Sequence, residues 1–206
     1  MALARTVVSE GLIDELNRFE ELVRPLTSQQ WETPSRCQGW TVGDVARHVI
    51  GSMADVAAGR LDGLGSPEVT QREVDERAGR SPAELADECS EATKAAAGML
   101  PLFDDAAWAT PGPGGFPGTL GDGVEALWYD TWMHAEDIRA AIGQAPVMSS
   151  GFRGARSHVA WDLRRVANWQ GEMPKSDEAA YAFILAATGR ADGSSLGADA
   201  PPNIYA

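Results

Sequence analysis

Residues 120–142 constrain the fold more strongly than any other part of the chain. At about 100° per residue, their apolar side chains form one continuous stripe, as in a helix with one buried face. His134 falls inside this stripe, and Asp130 lies at its edge, about 40° away around the helix. Side chains four residues apart on a helix point in the same direction. The segment therefore predicts a helix that turns a carboxylate and an imidazole inward together.

An inward-facing pair of this kind needs a partner, because burying an unpaired charge costs on the order of several kcal/mol. The residues alone leave two interpretations open. Asp130 and His134 could form a buried hydrogen bond that locks the helix, in a protein without a metal. Alternatively, they are two ligands of a divalent metal whose third ligand comes from another helix. Carboxylate and neutral imidazole suit zinc, nickel, iron or manganese.

The rest of the chain also predicts helices, and the pattern of an alternating strand is missing throughout. Three sequence signatures of a capping box mark helix starts, at Thr41, Ser81 and Thr119. We expect helices over about 5–24, 42–60, 82–99, 120–142, 151–169 and 177–188. Between them we expect a short turn over 28–31, a polar connection over 61–80 that could be helical over 69–77, an irregular loop over 102–118 and a loose tail from 189. No internal repeat is apparent, so the sequence predicts an all-α protein.

The composition limits the choice of partners and compartments. The chain has 206 residues and a formal net charge of -13, which argues against nucleic acid and against anionic membranes as partners. No stretch approaches the roughly 20 apolar residues that a membrane helix needs, and the first residues lack a signal-peptide pattern. Cys37 and Cys89 are interpreted as free thiols in a reducing compartment. We therefore expect a cytoplasmic protein.

The two other histidines give weaker signals. His48 lies at the edge of the apolar face of the second long helix, where a histidine is usually a structural residue. Asp44, four residues before it, forms a second Asp–His pair, but the capping box already explains this aspartate, so a two-metal site is not predicted. His158, with Asp162 four residues later, is predicted to lie at a surface or an interface and not to bind metal. The sequence contains no nucleophile-elbow, phosphate-loop or dinucleotide-binding motif.

One long run of residues carries a family resemblance: Trp31-x-x-Pro34-Ser35-x-Cys37-x-Gly39-Trp40-Thr41-Val42-x-Asp44-Val45-x-x-His48-Val49. It resembles the metal-binding domain of mycothiol-dependent maleylpyruvate isomerase and its actinobacterial relatives, within the DinB-like superfamily. Asp130 and His134 match a second signature of the family, an acid four residues before a histidine. The resemblance covers about residues 8–145. It implies a DinB-like up-down-down-up four-helix bundle over 1–146, with a short helical C-terminal region over 147–206 packed on it.

The resemblance also implies a ligand set. The isomerase holds zinc, and the matching positions here are His48, Asp130 and His134, which leaves one coordination position open for a water or a thiol. The acid is usually Glu in the isomerase, so the shorter Asp130 implies a tighter, shifted or differently selective site. Trp128, on the inner side of its helix, is a candidate for the wall of a cofactor pocket. Arg47 and Arg139 are expected to be solvated.

We therefore expect a metal-dependent isomerase or S-transferase that uses a low-molecular-weight thiol, with mycothiol implied by the resemblance, through a metal-bound thiolate. Its partners are then a small thiol and an electrophilic substrate, and a homodimer is a candidate assembly. The short C-terminal region puts maleylpyruvate itself in doubt as the substrate. The alternative is a non-catalytic DinB-like module that holds a metal or small ligand without turnover.

Overall fold

The computed structural model describes residues 3–205, with the side chains of Ala198 and Asp199 left aside. Within this range the chain has nine α-helices and no β-strand, so the predicted all-α class is confirmed. They are α1 (Arg5–Val23), α2 (Ser28–Trp31), α3 (Val42–Ala57), α4 (Pro67–Asp75), α5 (Pro82–Met99), α6 (Asp105–Trp108), α7 (Leu120–Ala141), α8 (Ser150–Ala167) and α9 (Asp177–Ala187). No helix of this part of the chain is both long enough and apolar enough to cross a membrane.

The three predicted capping boxes are all present, at the starts of α3, α5 and α7. In each box the hydroxyl oxygen of the cap accepts the amide N–H of the residue three positions later. The carboxylate of that later residue accepts the amide N–H of the cap in return. These reciprocal bonds satisfy two amide groups that a helix start otherwise leaves without a partner. The helix starts were therefore predictable to within a residue.

Helices α1, α3, α5 and α7 enclose the main core in the ring order α1, α5, α3, α7. Helices α1 and α5 are antiparallel. Arg24, just after the end of α1, pairs with Asp87 near the start of α5, whereas Arg5 at the start of α1 pairs with Asp105, beyond the end of α5.

Helices α3 and α7 are also antiparallel, because Cys37, which precedes α3, contacts Asp137 late in α7, and His48 contacts the earlier Asp130. Helices α1 and α7 run parallel. Gly11 of α1 lies against Trp128 of α7, and one turn later in both helices Glu15 and Trp132 lie against the same residue, Gly151. Two helices therefore point up and two point down. This is the predicted up-down-down-up arrangement.

The two segments that lead into α3 and α7 are built alike, and we call each a corner motif (residues 31–44 and 108–122). Both have the pattern Trp-x-Thr-Pro, then a loop, then Thr-x-Gly-Asp. In both, an isolated β-bridge joins the proline to the capping threonine. The residue after the cap donates its N–H to the earlier threonine carbonyl, at 2.9 Å in the first motif and 2.8 Å in the second.

The corner motifs also explain two glycines. A Cβ atom at Gly43 would lie 2.7 Å from the ring of Trp31, and one at Gly121 would lie 2.2 Å from the ring of Trp108. The prediction that the chain has no internal repeat was wrong. The repeated residues are few, and loops of different length separate them, so no constant period marks them in the sequence.

The residues after α7 pack on the bundle. Helix α8 contacts α7 and α1, and α9 contacts α8, around a second apolar cluster that includes Trp132, Phe152 and Phe183. The expected loose tail instead folds back, with a 3-10 helix over Gly193–Asp199 and a hydrogen bond of 2.8 Å from the Ile204 amide to the Ala187 carbonyl. The division into two units at residue 146 stays a prediction.

Candidate metal centre

The fold brings His48, Asp130 and His134 together at the interface of α3 and α7. The Nε2 atom of His48 lies 3.6 Å from Oδ2 of Asp130, and Nε2 of His134 lies 3.4 Å from Oδ1. The two imidazole rings meet edge to face, with their centroids 5.1 Å apart. One donor atom from each of the three residues lies within 4.8 Å of the other two.

These separations fit a bound ion better than a hydrogen-bonded pair. A distance of 3.4–3.6 Å between nitrogen and oxygen is long for a hydrogen bond. Zinc ligands lie about 2.0–2.2 Å from the metal, and the edges of such a tetrahedron measure about 3.3–3.6 Å. The two imidazole–carboxylate separations, one to each oxygen of Asp130, are of the size of the ligand–ligand distances in such a site. The residues present fit a divalent metal.

Buried carboxylates orient both imidazoles. Nδ1 of His48 lies 2.8 Å from Oε2 of Glu73, and Nδ1 of His134 lies 3.0 Å from Oδ2 of Asp137. An ionised carboxylate can only accept a hydrogen bond, so each Nδ1 carries a hydrogen, and in the neutral imidazole each Nε2 keeps its lone pair. Both lone pairs are thus available on the side of Asp130. Carboxylates behind histidine ligands are a regular feature of metal sites in proteins.

Glu73 reaches His48 because α4 lies very close to α3. Its Oε2 atom also accepts the hydroxyl of Ser52, at 3.0 Å. A Cβ atom at Gly51 would lie only 2.6 Å from Cβ of Glu73, so the glycine allows the two helices to approach. The buried Asp55 of α3 binds Arg72 of α4 and holds the same contact together.

Asp137 is held by three residues from two other parts of the chain. Arg190, after α9, donates to both carboxylate oxygens at 2.9–3.1 Å, and Arg36 reaches the same carboxylate at 3.0 Å. The thiol of Cys37 donates to Asp137 at 3.3 Å. Cys37, His134 and Asp137 form a second group of donors that could hold a metal. It suits a cation less well than the first group, because two arginines already neutralise its carboxylate.

The charges around His134 favour a cation. Burial alone lowers the pKa of this imidazole, but the carboxylates of Asp130 and Asp137 more than offset that effect and raise its pKa well above the usual value. Burial likewise raises the pKa of Asp130, yet His134, His48 and Arg190 bring it down to about 2. Without a metal, a proton on His134 balances the acids. A metal ion would take the place of that proton.

The three candidate ligands border a cavity of about 550 Å³ between the bundle and its connecting loops. Phe116 and Pro113, from the loop over 102–118, form part of its wall, consistent with the idea that this loop covers the end of the bundle. His158, predicted at a surface or an interface, lies at the interface of α7 and α8; it is buried in the wall and stacks on Tyr129 with ring centroids 4.8 Å apart. Burial lowers the pKa of His158, so its imidazole is neutral at neutral pH.

Other predicted positions differ from expectation. Trp128 lies in the core, with its ring against Gly11 and Gly154, and not in the cavity wall. It is therefore removed as a candidate for binding a cofactor. Arg139 is buried and paired with Glu136, contrary to the expectation that it is solvated.

Of the two predictions made for residues near the start of α3, the one for Arg47 was wrong and the one for Asp44 was confirmed. Arg47, also expected to be solvated, is mostly buried; it pairs with Asp44 at 2.7 Å and lies over the ring of Trp31. Asp44 caps α3, as predicted, and takes no part in the metal centre.

Sequence reasoning missed Glu73, Asp137 and Arg190. A signal existed for Asp137, which lies three residues after His134 on the same helix face. Glu73 lies in a segment interpreted as a polar connection, and Arg190 is 53 residues from its partner. Neither contact has a sequence spacing that could reveal it.

Comparison with known proteins was made by sequence and by fold. A family profile described as the mycothiol maleylpyruvate isomerase N-terminal domain matches residues 12–139. The chain belongs to this family. A sequence search of curated proteins returned no match.

Solved structures from the mycothiol maleylpyruvate isomerase family share the fold. The crystal structure of the mycothiol-dependent maleylpyruvate isomerase aligns with a TM-score of 0.63 and 16% sequence identity, over 97% of each chain. A histidine-to-alanine mutant of that isomerase aligns with a TM-score of 0.64 and 15% identity, again over 97% of each chain. The similarity of fold therefore extends over 97% of this chain, beyond the residues 12–139 that the family profile matches.

Proposed function

We propose that this member of the mycothiol maleylpyruvate isomerase family is a metal-dependent enzyme that uses a low-molecular-weight thiol, mycothiol, in an isomerase or S-transferase reaction. The observation that supports it best is the set of His48, Asp130 and His134 at the border of a large cavity. Three protein ligands leave a position open, which is typical of a catalytic metal and not of a structural one.

The chain supplies the ligands and their orientation. Nε2 of His48, Nε2 of His134 and the carboxylate of Asp130 would hold the metal, and we expect zinc, with nickel, iron or manganese as alternatives. Glu73 and Asp137 would keep both imidazoles in the required tautomer. A divalent ion in this position lowers the pKa of a bound thiol and keeps it as a nucleophilic thiolate at neutral pH.

The chemistry is then an addition of the thiol to an activated double bond. The thiol gives its proton to solvent as it ionises, the thiolate sulfur bonds to one alkene carbon as the π bond opens, and a proton from solvent ends on the adjacent carbon. In an isomerase the carbon–carbon bond rotates before the sulfur and one proton leave again, which restores the thiolate. The side chains that line the cavity beside this site are mostly apolar. Two free cysteines in the chain are consistent with a reducing cytoplasm as its location.

The metal is tested by stoichiometry. The purified full-length protein, supplemented with zinc and then desalted, is expected to retain one equivalent, measured by elemental analysis. His48→Ala and His134→Ala are expected to lose it. His158→Ala is the matched control, because this third histidine is buried near the site but is not a candidate ligand. Wild-type protein that retains no stoichiometric divalent metal after supplementation would contradict the proposal.

Turnover is tested separately, by thiol consumption with mycothiol and a panel of electrophiles. The enzyme is expected to consume thiol faster than the zinc-free protein and the His134→Ala variant. Stoichiometric zinc without any thiol consumption would instead favour a non-catalytic module that holds metal or ligand.

A further inference from the structure

The wall of the cavity beside the metal centre is mostly apolar. Half-buried side chains from α3, α5, α7 and three loops face it, among them Val56, Leu64, Met99, Phe103, Phe116 and Leu127. Apolar side chains that pack in a core would be fully buried. These remain accessible because they share one open space, and an apolar concave surface of this size is typical of a binding site for an apolar small molecule.

Free positive charge is scarce in this wall. Among the described residues that line the cavity, Arg190 is the one permanent cation, and it is already bound to both oxygens of Asp137. In the proposed site, Asp130 and a thiolate would together balance the two charges of a divalent ion. A substrate with two carboxylates would therefore find no unpaired cation here, and burying its charges would be costly.

A pair of tyrosines in the cavity wall offers a neutral hydrogen-bond donor. The hydroxyl groups of Tyr129 and Tyr205 lie 3.0 Å apart, and both residues line the cavity. Together they carry two hydroxyl protons, and their mutual hydrogen bond uses one. Among the contacts of the described residues, no acceptor takes the second. It remains available for a carbonyl oxygen of a bound molecule.

Building on the proposed function, we propose that the electrophile of this protein is a neutral, largely apolar molecule with a single carbonyl acceptor, such as an α,β-unsaturated ketone, and not a dicarboxylate. Its carbonyl oxygen accepts the free proton of the tyrosine pair while its apolar part fills the cavity. The thiolate sulfur bonds to the β-carbon, the π bond opens, and a proton from solvent ends on the α-carbon, in place of the proton that the thiol released on ionising. No oxidant or reductant is needed.

Binding to the zinc-supplemented full-length protein tests this assignment. N-phenyl-1-naphthylamine, a neutral probe that fluoresces in apolar surroundings, is expected to bind saturably. The neutral enone benzylideneacetone is expected to displace it, whereas maleate at a tenfold higher concentration is not. Displacement by maleate at or below the enone concentration, or a probe that does not bind at all, would overturn the assignment.

Two variants locate the binding. Leu64→Lys places a charge in the wall and is expected to weaken probe binding at least tenfold. The control Leu102→Lys changes a leucine that is 81% exposed and should leave binding within twofold. The double variant Tyr129→Phe/Tyr205→Phe is expected to weaken the enone severalfold and leave the probe unchanged. Circular dichroism identifies any variant that fails to fold, and an unchanged probe affinity in folded Leu64→Lys would count against the assignment.

The two proposals fail separately. If the protein retains zinc but maleate binds as well as the enone, the substrate class is wrong and the metal site stands. If zinc is not retained but the enone preference and the effect of Leu64→Lys remain, the cavity assignment stands and the metal-dependent function falls.

Discussion

At the scale of single residues, the candidate centre depends on two acids that would never contact the metal. Glu73 and Asp137 each accept the Nδ1 hydrogen of one histidine, and each is almost completely buried. Their contribution is to fix which nitrogen is free to bind. Losing such a partner typically costs 10–100-fold in metal affinity.

The first prediction concerns Glu73→Gln. The amide keeps the shape of the side chain but removes the charge that makes it a strong acceptor for His48. We expect zinc affinity, measured by competition with a chelating dye, to fall by about 10–100-fold. Glu68→Gln, an exposed change on the same helix, is the control. Equal affinities in the two variants would mean that Glu73 does not support the site.

Glu15 leads to a prediction about pH. Burial raises the pKa of its carboxyl group, although the Ser149 hydroxyl and the Gly151 amide partly offset this. Above about pH 4.5, the usual pKa of the group, the folded protein holds more protons here than the unfolded chain. Its contribution to the free energy of unfolding is therefore complete below that pH and is lost as the pH rises through the raised value.

Glu15→Gln does not titrate, so we expect its stability relative to wild type to increase from pH 4.5 upward and then level off. Urea denaturation at a series of pH values measures this. Glu10→Gln, an exposed change on the same helix, is the matched control. A relative stability of Glu15→Gln that decreases with pH would refute the explanation.

At this scale, helix spacing predicted that Asp130 and His134 face inward together, and the family resemblance added His48. Asp137 had a spacing signal that was missed, whereas Glu73 and Arg190 were beyond prediction from spacing. Glu73 depends on the close approach of α3 and α4 at Gly51, which is a property of packing and leaves no local pattern.

At the scale of elements, the corner motifs determine how α3 and α7 begin. Each packs a tryptophan ring on a glycine of the first helical turn. These glycines cannot be explained by backbone conformation, since both lie inside a helix, where glycine is unfavourable. Close packing against the ring is the remaining explanation.

We therefore predict opposite effects of two identical substitutions. Gly43→Ala should destabilise the protein by about 1–3 kcal/mol, because its Cβ would overlap the buried ring of Trp31. Gly98→Ala, in α5 with nothing within 4 Å of the added atom, should stabilise it by roughly 0.5–1 kcal/mol. Urea denaturation measures both. If Gly43→Ala is also stabilising, the ring contact does not require the glycine.

Most elements were predictable, because capping boxes and apolar periodicity are local signals. The exceptions depend on distant contacts. Helix α4 is polar and short, and ion pairs such as Arg77–Glu88, with a shortest distance of 2.7 Å, hold it on the bundle. The tail over 189–205 has little apolar periodicity, so its return to the bundle could not be read from sequence.

At the scale of the whole molecule, that tail connects the last residues of the chain to the candidate centre. Arg190 binds Asp137, which orients His134. A buried carboxylate that loses its main cation is strongly destabilised, by about 3–5 kcal/mol when no other partner remains.

We predict that Arg190→Ala lowers both the thermal stability of the protein and its zinc affinity, although the arginine touches no ligand. Because Arg36 still reaches Asp137, the loss of stability should stay at or below about 3–5 kcal/mol. Arg153→Ala, an exposed arginine of α8, should change stability by less than about 0.5 kcal/mol. Calorimetry and dye competition measure the two effects. An Arg190→Ala variant with wild-type zinc affinity would rule out this connection.

The two corner motifs have a consequence for how the molecule can fold. Each joins two helices, α1 to α3 and α5 to α7, that lie diagonally across the ring and not side by side. Helices α1 and α3 make one half of the bundle, and α5 and α7 make the other. The two helices of one half do not pack on each other, so neither half can cover its own apolar side chains; the neighbours of each helix belong to the other half. The halves are therefore interlocked, and neither can become an independent folding unit. The candidate ligands lie on α3 and α7, which belong to different halves. The site therefore forms only when the two halves have packed together, and metal binding would show that the four-helix bundle has folded.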